Sequence, residues 1–119
     1  MVAGEKRLSL TELRRGVLEY CVLAVVRQRE TYAFEIVRLL AGAGGLVTSE
    51  GTIYPLLSRL RRNGLVTTTW RESDAGPPRR YYEITEAGRR SLDAFLTEWA
   101  DFTAAVDRLL EPRNGRGSS

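Results

Sequence analysis

Ser49, Thr52, Tyr54 and Ser58 supply hydroxyls, and Arg59, Arg61 and Arg62 supply guanidiniums. All lie in one stretch, Ser49-Glu50-Gly51-Thr52-Ile53-Tyr54-Pro55-Leu56-Leu57-Ser58-Arg59-Leu60-Arg61-Arg62-Asn63-Gly64-Leu65-Val66. Groups of these kinds make no covalent bonds unaided. They donate hydrogen bonds to phosphate oxygens and to the edges of nucleic-acid bases. On a helical wheel Ile53, Leu56, Leu57 and Leu60 gather on one side, while Pro55, Ser58 and Arg62 point the opposite way. Thr52 and Arg59 flank that polar side on one shoulder, and Tyr54 and Arg61 on the other. One face can pack and the other is free to touch a partner; the alternative is a merely solvated face.

Other chemistries lack their residues. The chain has no histidine, which excludes a histidine-based acid, base or metal site. Cys21 is the only cysteine, so no intramolecular disulfide forms, and its neighbours Val22 and Leu23 suit a buried structural thiol rather than a redox switch. One cysteine and scattered carboxylates do not make a transition-metal site. There is no phosphate-binding glycine loop, and neither Ser58 nor Cys21 has an identifiable base beside it, so the chain reads as a non-enzyme with no cofactor.

The net charge is only +3, yet the pI is 9.4, and Arg59, Arg61, Arg62, Arg71, Arg79, Arg80, Arg89 and Arg90 crowd into about a third of the length. A local positive field of that kind attracts polyanions whatever the total charge. Lys6 is the only lysine. Arginine suits bidentate contacts to phosphate or guanine, although a GC-rich genome yields the same bias.

The elements that must position these groups follow from periodicity. With 119 residues and 43% hydrophobic content, the chain is predicted to fold around one modest core, at a size where association often adds stability. Thr11 is expected to cap a helix running to about Arg29, with an apolar stripe of Leu13, Val17, Leu18, Cys21, Ala24 and Val25. Thr31 is expected to cap a second helix from Tyr32 to about Ala41, with Ile36, Val37, Leu39 and Leu40 inward and Gly42-Ala43-Gly44-Gly45 ending it. A loop with Leu46 and Val47 leads to the third helix, which starts at Ser49 or Thr52 and ends at Asn63-Gly64. Pro55 predicts a kink or a late start there.

Two β-runs follow, Leu65 to Glu72 and Arg79 to Thr85, joined by Ser73-Asp74-Ala75-Gly76-Pro77-Pro78. Alternation places Val66, Thr68 and Trp70 on one face, Tyr82 and Ile84 on one face of the second run, and Arg79, Tyr81 and Glu83 outward, with Arg79 and Arg80 at a Pro-Pro tip. Thr85 is expected to cap a long last helix, Glu86 to about Leu110, ended by Pro112 and a disordered tail. Along it Leu92, Phe95, Trp99, Phe102, Val106 and Leu109 form a heptad-like seam, widened by Leu96 and Leu110, that wants a partner helix. The polar start from Met1 to Arg7 is unlike a signal peptide, and no run reaches the ~18 apolar residues of a membrane span. A cytoplasmic protein that does not engage membranes is expected.

The fold class is therefore mostly α with a small β-hairpin (α+β): a winged helix-turn-helix with a long C-terminal dimerisation helix. Residues 1–85 form the DNA-binding part, 86–111 the dimerisation helix and 112–119 a disordered tail. The sequence strongly resembles the PadR family of bacterial transcriptional regulators, in its compact type with a single C-terminal helix. The resemblance is carried by Gly51-Thr52-Ile53-Tyr54-Pro55-Leu56-Leu57, Arg59-Leu60, Gly64-Leu65-Val66, Trp70, Gly76-Pro77, Arg79-Arg80-Tyr81-Tyr82, Thr85, Gly88 and Leu92. It implies a homodimer on a partly palindromic double-stranded operator, usually repressing its own gene or a neighbouring operon of transport, detoxification or stress response, and often released by a small aromatic or lipophilic effector. Two departures stand out. Ala33-Phe34 replaces the family's frequent Gly-Tyr before Glu35-Ile36, and Arg61 stands where an acidic residue is frequent, adding positive charge to the recognition helix.

The expected DNA contacts are Ser49, Thr52, Tyr54 and Ser58 at base edges or phosphates, Pro55 against a thymine methyl or sugar edge, Arg59 and Arg62 on phosphates, and Arg79 and Arg80 along or in the adjacent minor groove. The alternative for the wing arginines is a charged tip that keeps a sheet edge soluble. The expected dimerisation residues are Leu92, Phe95, Leu96, Trp99, Phe102, Val106 and Leu109. Phe95, Trp99 and Phe102 have a second reading, by resemblance, as a surface between subunits that stacks planar compounds. A winged-helix protein-interaction module without specific DNA binding is the competing function.

Overall fold

The computed structural model describes residues 10–43 and 49–111. The element order is α1 (Leu10–Gln28), β1 (Thr31–Tyr32), α2 (Ala33–Gly42), α3 (Glu50–Arg62), β2 (Val66–Ser73), β3 (Gly76–Ile84) and α4 (Glu86–Leu110). The expected loop through Leu46 and Val47, the glycines at 44 and 45, and the tail from Pro112 lie outside the described residues. So do the side chains of residues 10–12; Thr11 itself lies within α1, which starts at Leu10, rather than capping it.

Apolar residues of the four helices and of β2 and β3 build one core, to which the outer half of α4 does not contribute. Leu18, Val22, Leu23 and Val26 come from α1, Ala33, Ile36 and Leu40 from α2, and Ile53, Leu56, Leu57 and Leu60 from α3. Val66, Tyr82, Ile84 and Leu92 close it from the sheet and α4. Removing an aliphatic side chain of this kind from water contributes about 1.5–3 kcal/mol. The α3 face is the expected one. That of α1 is rotated: Leu13 is exposed and Cys21, Ala24 and Val25 are half-buried, because the core takes only one edge of a stripe too wide for it. In α2, Val37 is likewise only half-buried, and Leu39, expected inward, is exposed.

The sheet is three-stranded and antiparallel in the order β1-β3-β2, not a lone hairpin. Thr31 is not a helix cap. It pairs with Tyr82, Tyr32 pairs with Tyr81, and α2 starts at Ala33 without a side-chain cap bond. Closing the β3 edge this way satisfies backbone groups that a two-stranded ribbon would leave open. The hairpin is also tighter than expected. Ser73 pairs with Gly76, so only Asp74 and Ala75 form the tip, and Gly76 holds a positive φ of 141°. Pro77 and Pro78 belong to β3, where the register shifts between Ser73↔Gly76 and Arg71↔Arg79. Such an irregularity tolerates proline, which has no N–H to give a ladder.

A joint of close contacts ties α3, the sheet and α4 together. Gly64 (φ 74°) ends α3: its N–H reaches the Arg61 carbonyl at 3.0 Å, and the Leu65 N–H reaches that of Leu60 at 2.9 Å. This is the paired bonding of a Schellman motif. The Thr85 hydroxyl donates to the Gly64 carbonyl at 2.7 Å and accepts from the Gly88 N–H at 3.0 Å, which caps α4 as expected. The Thr85 N–H donates to the Leu65 carbonyl at 3.0 Å. Gly88 is required here, since a Cβ on it would lie 2.2 Å from that same carbonyl oxygen.

Candidate nucleic-acid interface

The polar face of α3 is open as the wheel required. Tyr54 is 50% exposed, and Thr52, Pro55, Ser58, Arg59, Arg61 and Arg62 are all on the surface. The helix runs unbroken from Glu50 through Pro55 to Arg62, which corrects the late-start alternative. Pro55 removes the bond that would reach the Gly51 carbonyl. Both residues face outward, so solvent can serve that carbonyl while the buried leucines hold the other side. Ser49 precedes the first turn in extended conformation without a side-chain cap bond, its carbonyl accepting from the Thr52 N–H at 3.2 Å and its hydroxyl 3.4 Å from that of Thr52. The first-turn N–H groups and the helix dipole thus favour an anion in front of them.

Burial, with the nearby Glu50 and Tyr82 adding to it, pushes the Tyr54 phenol above its ordinary pKa, so it remains a hydrogen-bond donor. Burial also pushes the Cys21 thiol up, away from a reactive thiolate.

The arginines divide into engaged and unengaged groups. Arg59 reaches back to Glu19 of α1 at 3.5 Å, and Arg71 pairs with Glu30 before β1. Arg61, Arg62, Arg79 and Arg80 have no carboxylate partner among the described residues. Cross-strand register, Arg71↔Arg79 and Trp70↔Arg80, sends the two wing arginines to opposite faces of the ribbon. Arg79 lies over the Tyr32 ring at 4.4 Å, and Arg80 over the Trp70 ring at 4.9 Å. They therefore stand on β3 beyond the core, not at a Pro-Pro corner.

Between α3 and the hairpin lies an open cleft of about 480 Å³, to which Tyr54 and Ser58 contribute from α3 and Arg79 and Arg80 from the wing. Four of the expected contact residues thus share one concavity. Tyr32, Phe34 and Trp70 also line it. Sequence reasoning gave Phe34 and Tyr32 no role and placed Trp70 on the inner face. Trp70 has that orientation but extends past the core and is 60% exposed. The signal that could have found it is its register opposite Arg80.

On α4 only Leu92 of the expected seam is fully buried, and it lies inside the protomer's own core. Phe95 stacks on Tyr20 of α1 with centroids 4.0 Å apart and planes 2° from parallel, and continues to Trp99 at 5.5 Å. Beyond it Leu96, Trp99, Phe102 and Leu109 are exposed, Leu109 by 85%. So many large apolar side chains exposed on one helix are far more than scattered residues, and Leu13 of α1 is exposed as well. Among the described residues there is no group of side chains that could hold a metal, and no helix is long and apolar enough to cross a membrane.

Residues 22–94 match the sequence profile of the Transcriptional regulator PadR-like family. The chain is 34% identical over 83 residues to transcriptional regulator Rv3488 of Mycobacterium tuberculosis, covering 70% of this chain and 76% of that protein. Among solved structures, a PadR-like transcriptional regulator from Bacillus cereus superposes with a TM-score of 0.78 at 37% identity, covering 86% of this chain and 99% of the other. A PadR family transcriptional regulator from Eggerthella lenta gives a TM-score of 0.77 at 35% identity, covering 87% and 90%.

Proposed function

The chain belongs to the PadR-like family of DNA-binding transcriptional regulators, and from that premise we propose that it acts as a homodimeric repressor of its own gene or a neighbouring operon. In this reading residues 1–85 make up the DNA-binding part and residues 86–111 dimerise. The observation that carries it is the meeting of Tyr54 and Ser58 with Arg79 and Arg80 across one cleft, while Arg61 and Arg62 at the end of α3 have no carboxylate partner among the described residues. The α3 surface enters a major groove, where Ser49, Thr52, Tyr54 and Ser58 reach base edges or phosphates and Pro55 meets a methyl or sugar edge. Arg59 and Arg62 hold phosphates, and Arg79 and Arg80 follow the strand toward the minor groove.

Dimerisation is supported by the exposed Leu96, Trp99, Phe102 and Leu109 of α4, with half-buried Val106 among them, which a second copy would cover. A small aromatic or lipophilic effector at Phe95, Trp99 and Phe102 would relieve repression by as much as it prefers one spacing of the two α3 helices over another.

The test is footprinting on the DNA upstream of the protein's own gene and its neighbours at physiological salt, with Arg62→Ala and Arg79→Ala variants alongside. Protection of a two-fold symmetric site, weakened by either substitution, is expected. Diffuse, salt-sensitive retention unchanged by both would support the protein-interaction reading instead.

A further inference from the structure

We propose that Tyr32 is a positioning residue for DNA binding: its ring sets the pose of the wing guanidinium of Arg79 in the free protein, without itself touching the duplex. The need for such a residue arises in the β-ladder. Arg71 and Arg79 stand directly opposite each other on β2 and β3, and a like-charge cross-strand pair is destabilising unless each side chain has a partner of its own. Both are long side chains with many rotamers. An unrestrained one must be ordered each time it meets a phosphate, which weakens binding.

The segment between α1 and α2 supplies the partners. Glu30 pairs with Arg71, whose guanidinium also lies over the Tyr81 ring at 4.9 Å. Two residues further on, Tyr32 places its ring under Arg79 at 4.4 Å. The two tyrosines are partners in the β1–β3 register and meet edge to face, with centroids 5.3 Å apart and planes at 61°. Glu30, Arg71, Tyr81, Tyr32 and Arg79 therefore form one continuous row of contacts on the outer side of the sheet. The last ring of the row is firmly seated. Tyr32 is half-buried, and its neighbour Thr31 is only 3% exposed and pairs with Tyr82 of the core. A strand of two residues thus does more than close a sheet edge, since it carries a ring to the wing.

Stacking through the face of a guanidinium restricts the side chain yet leaves its N–H edges available to a phosphate. Arg79 is then ordered on folding rather than on binding. The effect on DNA rests on the proposed function, in which Arg79 contacts the duplex. The pose of Arg79 in the free protein does not rest on it.

Two measurements keep these apart. In NMR spectra of the free protein, the ring current of Tyr32 is expected to move the Arg79 δ-methylene protons upfield. That shift should survive in Tyr32→Phe and vanish in Tyr32→Ile, which keeps a β-former at the same pairing. In anisotropy on labelled DNA from upstream of the gene, Tyr32→Ile is expected to weaken binding about tenfold for a dimer, through the ordering of one arginine per protomer. Its salt slope should be unchanged because the phosphate contact is still made, and Tyr32→Phe should bind as the wild type does. Arg79→Ala should lower both affinity and slope, and adding Tyr32→Ile to it should weaken binding no further. Absence of the ring-current shift in the wild type, which needs no variant to be read, would overturn the pose. Tyr32→Phe binding as weakly as Tyr32→Ile, or a further loss from Tyr32→Ile in the Arg79→Ala background, would overturn the positioning role in favour of a direct contact or a general loss of structure. Undiminished binding by Arg79→Ala would refute the wing contact of the proposed function, and the ring-current shift alone would then decide the pose.

Discussion

Replacing Glu19 by glutamine removes the carboxylate that holds Arg59 at 3.5 Å, and DNA binding is expected to become tighter, not weaker. Arg59 is 45% exposed and Glu19 24%, so the pair belongs with partly screened surface ion pairs, worth about 0.2–1 kcal/mol. A guanidinium turning to a phosphate must give up that interaction first. Taking roughly 0.5 kcal/mol per protomer, a dimer engaging two half-sites gains about 1 kcal/mol, or roughly fivefold in Kd. Fluorescence anisotropy of labelled operator at fixed salt measures it. The same substitution in an Arg59→Ala background separates two causes: a pairwise effect vanishes there, whereas a general gain from removing negative charge persists. Unchanged or weaker binding by a folded Glu19→Gln protein, or an equal gain in both backgrounds, would refute the idea that Glu19 draws Arg59 away from DNA.

Other expectations concern the scaffold and its assembly. Gly88→Ala forces a Cβ to 2.2 Å from the Leu65 carbonyl oxygen and 2.7 Å from Ile84 Cγ1, so chemical denaturation should show a loss of about 3 kcal/mol or failure to fold. Thr85→Ala loses both the α4 cap and the bond to Gly64 and should cost about 1–2 kcal/mol, most of it restored by Thr85→Ser. Light scattering at micromolar concentration should give a dimer, and Phe102→Glu, at a position 61% exposed in the protomer, should shift it toward monomer without lowering helix content. A wild-type monomer would remove the two-half-site account.

The sequence was most legible where local rules decide the outcome. Ile53, Leu56, Leu57 and Leu60 identified the buried face of α3, Gly64 its left-handed end, and Thr85 the cap of α4, each from neighbours within a few residues. Pairings across long separations were not legible. Thr31 looked like a helix cap because its type and position suit one, and its true partner, Tyr82, is 51 residues away. A strand of two residues carries no periodicity to read. Pro77 and Pro78 suggested a loop, yet the ladder shifts register beside them and keeps them in β3. The polar groups of the α3 and wing surface were visible individually. Their shared cleft depends on how the hairpin leans over α3, and so neither Phe34 nor the outward reach of Trp70 had a local signal.

The joint at Gly64, Leu65, Thr85 and Gly88 has a consequence for how such a regulator diversifies. With the end of the reading helix fixed to the start of α4, a dimer joined along α4 behaves as two arms welded to one axle. The distance and phase between its half-sites are then set by where along α4 the two copies cross. One residue inserted between Leu92 and Phe95 would turn one arm relative to the axle by roughly 100° and shift it by about 1.5 Å. Operator spacing would thus change through indels in α4, while base preference changes through exposed positions on α3, and the two traits can drift independently.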